Sequence, residues 1–151
     1  MSRTLTHTGV SPHQEDYLEA IFWLTQEDRV ARSRDITRRM GVTKSTVTGA
    51  LRQLRADGLV NYAPYSYVTL TREGLAIARN VARRHAVLRE FLCRILGMDY
   101  DAADALACAF EHSIDAAALD RFEAFLEFAA SDAPDLRQWI ERQQARRKEE
   151  N

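Results

Sequence analysis

Ser33-Arg34-Asp35-Ile36-Thr37-Arg38-Arg39-Met40-Gly41-Val42-Thr43-Lys44-Ser45-Thr46-Val47-Thr48-Gly49-Ala50-Leu51 holds two short helical patterns around one glycine. Ser33 is predicted to cap a helix running from Arg34 to Met40, which Gly41 stops by taking the left-handed conformation that ends helices. Thr43 is predicted to cap a third helix reaching about Ala56, where Asp57-Gly58 ends it. Ile36, Met40, Val42, Val47, Leu51 and Leu54 recur at inward positions. Two short helices joined by a tight glycine turn form a helix-turn-helix.

Downstream of Gly58 the pattern changes to strand. Leu59 to Tyr62 and Tyr67 to Leu70 read as two short strands, with Ala63-Pro64-Tyr65-Ser66 as the bend, so a wing follows the helix-turn-helix. Upstream, Ser11-Pro12 opens a helix spanning roughly 12–26, with Tyr17, Leu18, Ile21, Phe22 and Leu24 at helical spacing. Residues 1–10 are polar, contain a glycine and show no periodicity, and are expected to be a mobile arm. Beyond the wing, Thr71 caps a long helix that runs to Gly97. Helices are then expected over 101–112, from Asp115 to about Ala129, and over about 135–147, the last closed by Arg146-Arg147-Lys148. Ser131 to Pro134 interrupts the chain. The fold class is mainly α: an N-terminal winged helix-turn-helix with a small β-hairpin wing, then a helical half.

The chain has 151 residues, 46% of them hydrophobic and 28% charged, which suits one compact unit or two small ones. No apolar run is long enough to span a bilayer, and the N-terminus lacks a signal-peptide core, so a cytoplasmic protein without membrane contact is expected. Cys93 and Cys108 make no disulfide framework. The net charge of −1 conceals an asymmetry. Arg29, Arg32, Arg34, Arg38, Arg39, Lys44, Arg52 and Arg55 face only Asp35 and Asp57 over residues 29–57. Over residues 99–135 the acids dominate, and Arg121 is the lone base. A basic segment suits a polyanion and an acidic one suits a cation.

In a winged helix the amino end of the third helix enters the major groove. Thr43, Ser45, Thr46 and Thr48 offer hydroxyls for base edges or phosphates. Arg52 and Arg55, further along the helix, suit phosphate contacts to double-stranded DNA, and Arg34 and Lys44 are further candidates for the same DNA-binding surface. The wing, Tyr65-Ser66-Tyr67, adds hydroxyls and rings but no Lys or Arg. The alternative is a winged helix serving as a protein-interaction module, against which the basic balance argues.

Cys108-Ala109-Phe110-Glu111-His112 is the densest set of potential metal ligands, since positions i, i+3 and i+4 share a helical face. Asp16 and Glu19 lie at i, i+3 on the first helix, and His85 lies mid-way along the long helix. Singly, each has an ordinary reading: a hydrogen-bonded histidine, a small hydrophobic cysteine, an acid complementing a helix dipole. The combination points to a cation. Cys93, eight residues after His85, reads as core or interface. Two other classes remain open on residues alone. One is a winged-helix regulator sensing an organic ligand. The other is a zinc-dependent enzyme, against which stand the absence of HExxH, a phosphate loop and a nucleophile elbow.

Three separated segments resemble the diphtheria toxin repressor / manganese transport regulator family of iron- and manganese-dependent repressors. They are Glu15-Asp16-Tyr17-Leu18-Glu19-Ala20-Ile21, Arg84-His85 and Cys108-Ala109-Phe110-Glu111-His112, and the Val42 to Thr48 helix-turn-helix between them matches in position and character. The resemblance covers about residues 12–130. It implies a DNA-binding domain over 1–72 and a helical metal-binding and dimerisation domain over 73–151, without the SH3-like domain of many iron-type members. It implies a non-enzymatic repressor that senses Fe(II) or Mn(II), binds a palindromic operator as a homodimer, takes no small-molecule substrate and controls metal homeostasis genes.

It further implies a ligand set of Asp16, Glu19, His85, Cys108, Glu111 and His112. Within that set the chain is a hybrid. Asp16 stands where iron-type members have methionine, whereas Cys108 matches their cysteine and manganese-type members have glutamate there. Arg89 and Asp104 stand at about the places of a glutamate and a histidine of an iron-type ancillary site. One thiolate among hard ligands favours Fe(II), with Mn(II) close behind. Dimerisation is expected from the family and from apolar faces around Leu119, Phe122 and Phe125.

Overall fold

The structure, a computed structural model, describes residues 9–28, 30–63, 66–131 and 134–150. Most of the expected N-terminal arm, Pro64 and Tyr65 of the expected bend, and the side chains of Arg146, Arg147 and Lys148 lie outside the described residues. Packing divides the chain into two compact units, 1–82 and 83–151.

The first unit begins with α1 (Pro12–Asp28). Its entry is a reciprocal cap: Gln14 N–H donates to Ser11 Oγ (3.3 Å) and Ser11 N–H donates to Gln14 Oε1 (3.1 Å). Helix α2 is Ser33–Met40. Its cap is Arg32, in extended backbone and without a side-chain cap bond, so Ser33 is the first helical residue rather than the expected cap. Gly41 closes α2 at φ 64°, its N–H donating to the Thr37 carbonyl. Helix α3 is Lys44–Ala56, with Thr43 accepting from the Thr46 N–H as expected.

Apolar side chains of α1, α2 and α3 meet in one core: Tyr17, Leu18, Ile21, Ile36, Val47, Leu51 and Leu54 are fully buried, and Met40 and Val42 pack against them. The wing strands are shorter than expected. Strands β1 (Val60–Asn61) and β2 (Thr69–Leu70) pair antiparallel, Val60 opposite Leu70. Leu59 is withdrawn from the ladder because its N–H donates to the Leu54 carbonyl (2.9 Å) and its own carbonyl accepts from the Thr71 N–H (3.0 Å). Val68 instead bridges to Ala31, ahead of α2 (N–H to carbonyl, 2.8 Å).

Helix α4 is Arg72–Arg94, and the boundary between the units falls inside it. Thr71 Oγ1 accepts from the Gly74 N–H (3.1 Å). The first turns give Ile77, Ala78 and Val81 to the first core, so that the first compact unit includes them.

In the second unit the later turns of α4 pack Leu88 and Leu92 against Ala103 and Ala107 of α5 (Tyr100–Phe110), together with Ile114 and Leu119. Asp99 caps α5 through the Ala102 N–H (3.0 Å). The helix expected over 101–112 stops at Phe110, and Glu111–Ser113 form a single 3-10 turn. Asp115 then caps α6 (Ala116–Ala130), accepting from the Ala118 N–H at 2.7 Å. A smaller cluster of Ile95, Leu126 and Ala129 is covered by Leu136 and Ile140 of α7 (Pro134–Glu150). Arg83 of α4 donates to Glu123 of α6. Leu119 is buried and Phe122 packs edge-on against Phe91, so of the three residues expected to form an outer apolar face only Phe125 is exposed. Among the described residues no helix is long and apolar enough to cross a membrane.

Candidate functional site

The first unit presents the amino end of α3 to solvent. Thr43, Lys44, Ser45 and Thr46 are exposed, and Arg52 and Arg55 continue the exposed surface along the helix. Thr43 Oγ1 lies 2.9 Å from Ser45 Oγ and 2.8 Å from Thr46 Oγ1, so three of the expected reading hydroxyls form one local network. Thr48 differs: it is half-buried and its hydroxyl donates to the Lys44 carbonyl (2.9 Å). Arg34 is exposed beside Asp35 (3.5 Å). The wing has no basic residue of its own, but Arg32 stacks its guanidinium 5.3 Å from the Tyr67 ring and brings charge to it. That contribution is invisible in the wing sequence, because Arg32 lies 35 residues from Tyr67.

Asp16 and Glu19 are half-buried on α1, one turn apart. Trp23 Nε1–H donates to Glu19 Oε1 at 3.1 Å, fixing that carboxylate along the helix. Burial pushes the Tyr17 phenol above its ordinary range, and Asp16 beside it adds to the shift. Among the described residues the buried Tyr17 hydroxyl has no hydrogen-bond partner. Glu15, not a candidate from the sequence, is fully buried.

The second unit brings four candidates together with a fifth residue, the acid Asp104. Glu111 is fully buried; His85 Nδ1 lies 2.7 Å from its Oε2, and His112 Nε2 lies 3.5 Å from its Oε1. Cys108 Sγ comes within 4.8 Å of a Glu111 carboxylate oxygen, although Cys108 itself is exposed. The shared helical face expected for Cys108, Glu111 and His112 is only partly realised. Cys108 is on α5, whereas Glu111 and His112 are on the 3-10 turn. Cys108, in the last turn of α5, lies i, i+3 from Glu111 and so stays on its side of the helix.

His85 is bracketed on its other side. Its Nε2 lies 2.9 Å from Asp104 Oδ1, and Arg89 Nη1 donates to the same oxygen at 2.8 Å. The Arg89 guanidinium beside Asp104 holds its carboxyl below the usual carboxylate range, with His85 adding to the effect. Arg89 in turn sits 4.9 Å from the Tyr100 ring centroid. From sequence, Arg89 and Asp104 registered only as departures from a family pattern. Their pairing spans 15 residues and leaves no local signal.

Two imidazoles and a thiol gathered on a carboxylate without solvent access are a donor set for a first-row divalent ion. A carboxylate buried this fully needs positive partners, and imidazoles supply them through N–H or by sharing a cation. The residues present therefore fit a metal.

Residues 10–68 match the model of the iron dependent repressor N-terminal DNA binding domain. Residues 71–139 match that of the iron dependent repressor metal binding and dimerisation domain. The chain belongs to the iron-dependent repressor family. That places it among metal-dependent transcriptional repressors of the diphtheria toxin repressor / manganese transport regulator type, a family of non-enzymes.

Relatives in the iron-dependent repressor family include an uncharacterised HTH-type transcriptional regulator of Methanocaldococcus jannaschii. It is 32% identical over 114 residues, which are 75% of this chain and 91% of that protein. MntR of Bacillus subtilis is 32% identical over 122 residues, 81% of this chain and 85% of its own. Among solved structures, a manganese-dependent transcriptional repressor in complex with manganese superposes with a TM-score of 0.69 at 33% identity, covering 76% of this chain and 53% of that one. The manganese regulator SloR gives 0.69 at 26% identity, covering 79% and 55%. The chain thus spans about half the length of these solved chains.

Proposed function

We propose that this chain senses Fe(II) or Mn(II) and, as a homodimer, binds a palindromic operator in double-stranded DNA to repress metal homeostasis genes. The observation that carries this is Glu111, a fully buried carboxylate with His85 on one oxygen, His112 near the other and the Cys108 sulfur close by. In this reading Asp16 and Glu19 complete the ligand set, as the match of their segment to the family's first helix suggests. A bound divalent ion supplies concentrated positive charge to these donors. Asp16, Glu19 and Glu111 are acids that repel one another when drawn together without a cation, so their arrangement is coupled to occupancy. By linkage, the conformation that holds the ion more tightly is the one stabilised, and that conformation is taken to be the one competent for the operator.

The Cys108 thiolate favours Fe(II), and the hard oxygens of Asp16 and Glu19 keep Mn(II) close behind. The manganese named for several relatives supports the second metal. Thr43, Ser45, Thr46 and the Thr48 methyl face base edges and nearby phosphates in this reading, and Arg34, Lys44, Arg52 and Arg55 take phosphates. Exposed Leu106, Phe110, Phe125 and Phe128 lie in the segment matched by the dimerisation model and are the apolar surface offered for pairing.

The test is duplex selection from a random library followed by binding titrations with anaerobic Fe(II), Mn(II), Co(II), Zn(II) and a chelator. Affinity that rises with Fe(II) or Mn(II) and falls with chelator is expected; affinity indifferent to all of them rejects the proposal. Replacing both Glu111 and His112 with alanine removes the response here, whereas a regulator of an organic ligand keeps its response.

A further inference from the structure

We propose that Asp104 and Arg89 are positioning residues that hold His85 as an Nε2–H donor, reserving its Nδ1 for the metal. This rests on the metal reading above and deepens it.

The imidazole has two nitrogens, and only one that carries no proton can coordinate. His85 projects from α4 with a carboxylate at each ring nitrogen. Nδ1 faces Glu111 at 2.7 Å, inside the donor cluster, and Nε2 faces Asp104 at 2.9 Å, away from it. The two carboxylates are unlike. Glu111 is fully buried among candidate ligands, whereas Asp104 is half-exposed and already receives Arg89 Nη1–H at 2.8 Å on the same Oδ1. An oxygen that accepts from a guanidinium is an acceptor site for His85, so the proton of that contact belongs to Nε2. Nδ1, 2.7 Å from Glu111, shares a proton with that carboxylate while no metal is bound, and release of that proton frees the Nδ1 lone pair for the cluster.

Arg89 is itself braced by the Tyr100 ring at 4.9 Å. The order Tyr100, Arg89, Asp104, His85 therefore forms a rigid relay, with α4 and α5 contributing alternately. A carboxylate on the far nitrogen of a ligating histidine fixes ring orientation and tautomer and raises ligand basicity. Losing such a partner costs ~10–100-fold in metal affinity. Arg89 and His85 meet on the one Oδ1 oxygen of Asp104, so in this arrangement that oxygen serves to orient His85.

The experiment uses the full chain with labelled histidine and reads the His85 imidazole nitrogens by NMR, first metal-free and then loaded with cadmium. In the metal-free protein the Nε2–H signal is expected to be slowly exchanging, and to lose that protection in Asp104→Ala. In the cadmium form, coupling to the metal is expected on Nδ1 alone. Co(II) titration is expected to show ~10–100-fold weaker binding in Asp104→Ala and a smaller loss in Arg89→Gln. The near-isosteric Asp104→Asn, whose amide oxygen can still accept, should recover part of the loss, which a purely structural role does not predict.

Cadmium coupled to Nε2 overturns the proposal. So does Asp104→Ala binding Co(II) as wild type does with His85 unchanged. A wild-type chain that binds neither ion rejects the metal reading itself, and the metal-free Nε2–H signal then still decides whether Asp104 holds the ring.

Discussion

At Cys108 and Asp16 single atoms decide which ion is preferred. A thiolate is soft and a carboxylate is hard, and this chain has one of each where related repressors are divided. Cys108→Glu is expected to move the preference from Fe(II) toward Mn(II) by about tenfold, or ~1.4 kcal/mol, read as the ratio of half-maximal metal concentrations for DNA binding. An unchanged ratio removes Cys108 as the determinant. Glu111→Gln keeps the volume of the buried side chain but not its charge. It is expected to leave the thermal melt of the metal-free protein within a few degrees of wild type while abolishing the metal-induced rise in DNA affinity. The candidate ligands were legible as residue types in repeating company. What was not legible was the environment that sorts them: burial of Glu111, exposure of Cys108, and the Arg89–Asp104 pair behind His85 all depend on residues distant in sequence.

Among the elements, helix starts were readable where the cap is a side chain and less so where it is not. Thr43 and Thr71, the caps read from the sequence, accept the expected backbone N–H; Asp99 and Asp115 cap α5 and α6 without having been read as caps, and α2 starts after Arg32, whose side chain makes no cap bond. Helix ends followed glycine at Gly41 and failed at Phe110. No glycine or proline lies between Ala102 and Ile114, so nothing local announces the change to a 3-10 turn. Glu111, the first residue of that turn, and Ile114, the residue that closes it, are both buried.

Gly74 is the position where an element junction leaves no room. A Cβ there would lie 2.0 Å from the Leu59 carbonyl oxygen, which also accepts from Thr71. Gly74→Ala is therefore expected to destabilise by about 1–3 kcal/mol through forced backbone movement, measured by denaturant unfolding. Stability equal to wild type would show that the start of α4 shifts freely against the wing.

For the whole molecule, charge and packing make separate statements. The basic stretch around α3 predicts binding to duplex DNA that weakens linearly with the logarithm of salt concentration. Arg52→Ala and Arg55→Ala are each expected to reduce that slope by about one, with little change in sequence preference. A slope untouched by either replacement removes them from the interface. Each compact unit has its own apolar core, so chelation is expected to lower DNA affinity while far-UV circular dichroism keeps its helical signal. Loss of helix on chelation would show that the ion is needed for folding rather than for setting the response.

The hydroxyls of Thr43, Ser45 and Thr46 hold one another before any DNA arrives. Their rotors are already restrained, so docking freezes few additional degrees of freedom. Each bond made to a base or phosphate also replaces one that existed. Discrimination between sequences then comes from an exchange of nearly equal partners, and a duplex offering poorly placed acceptors leaves the network closed on itself. The unbound arrangement is in that sense a competitor for the recognition surface, present on every molecule and independent of concentration.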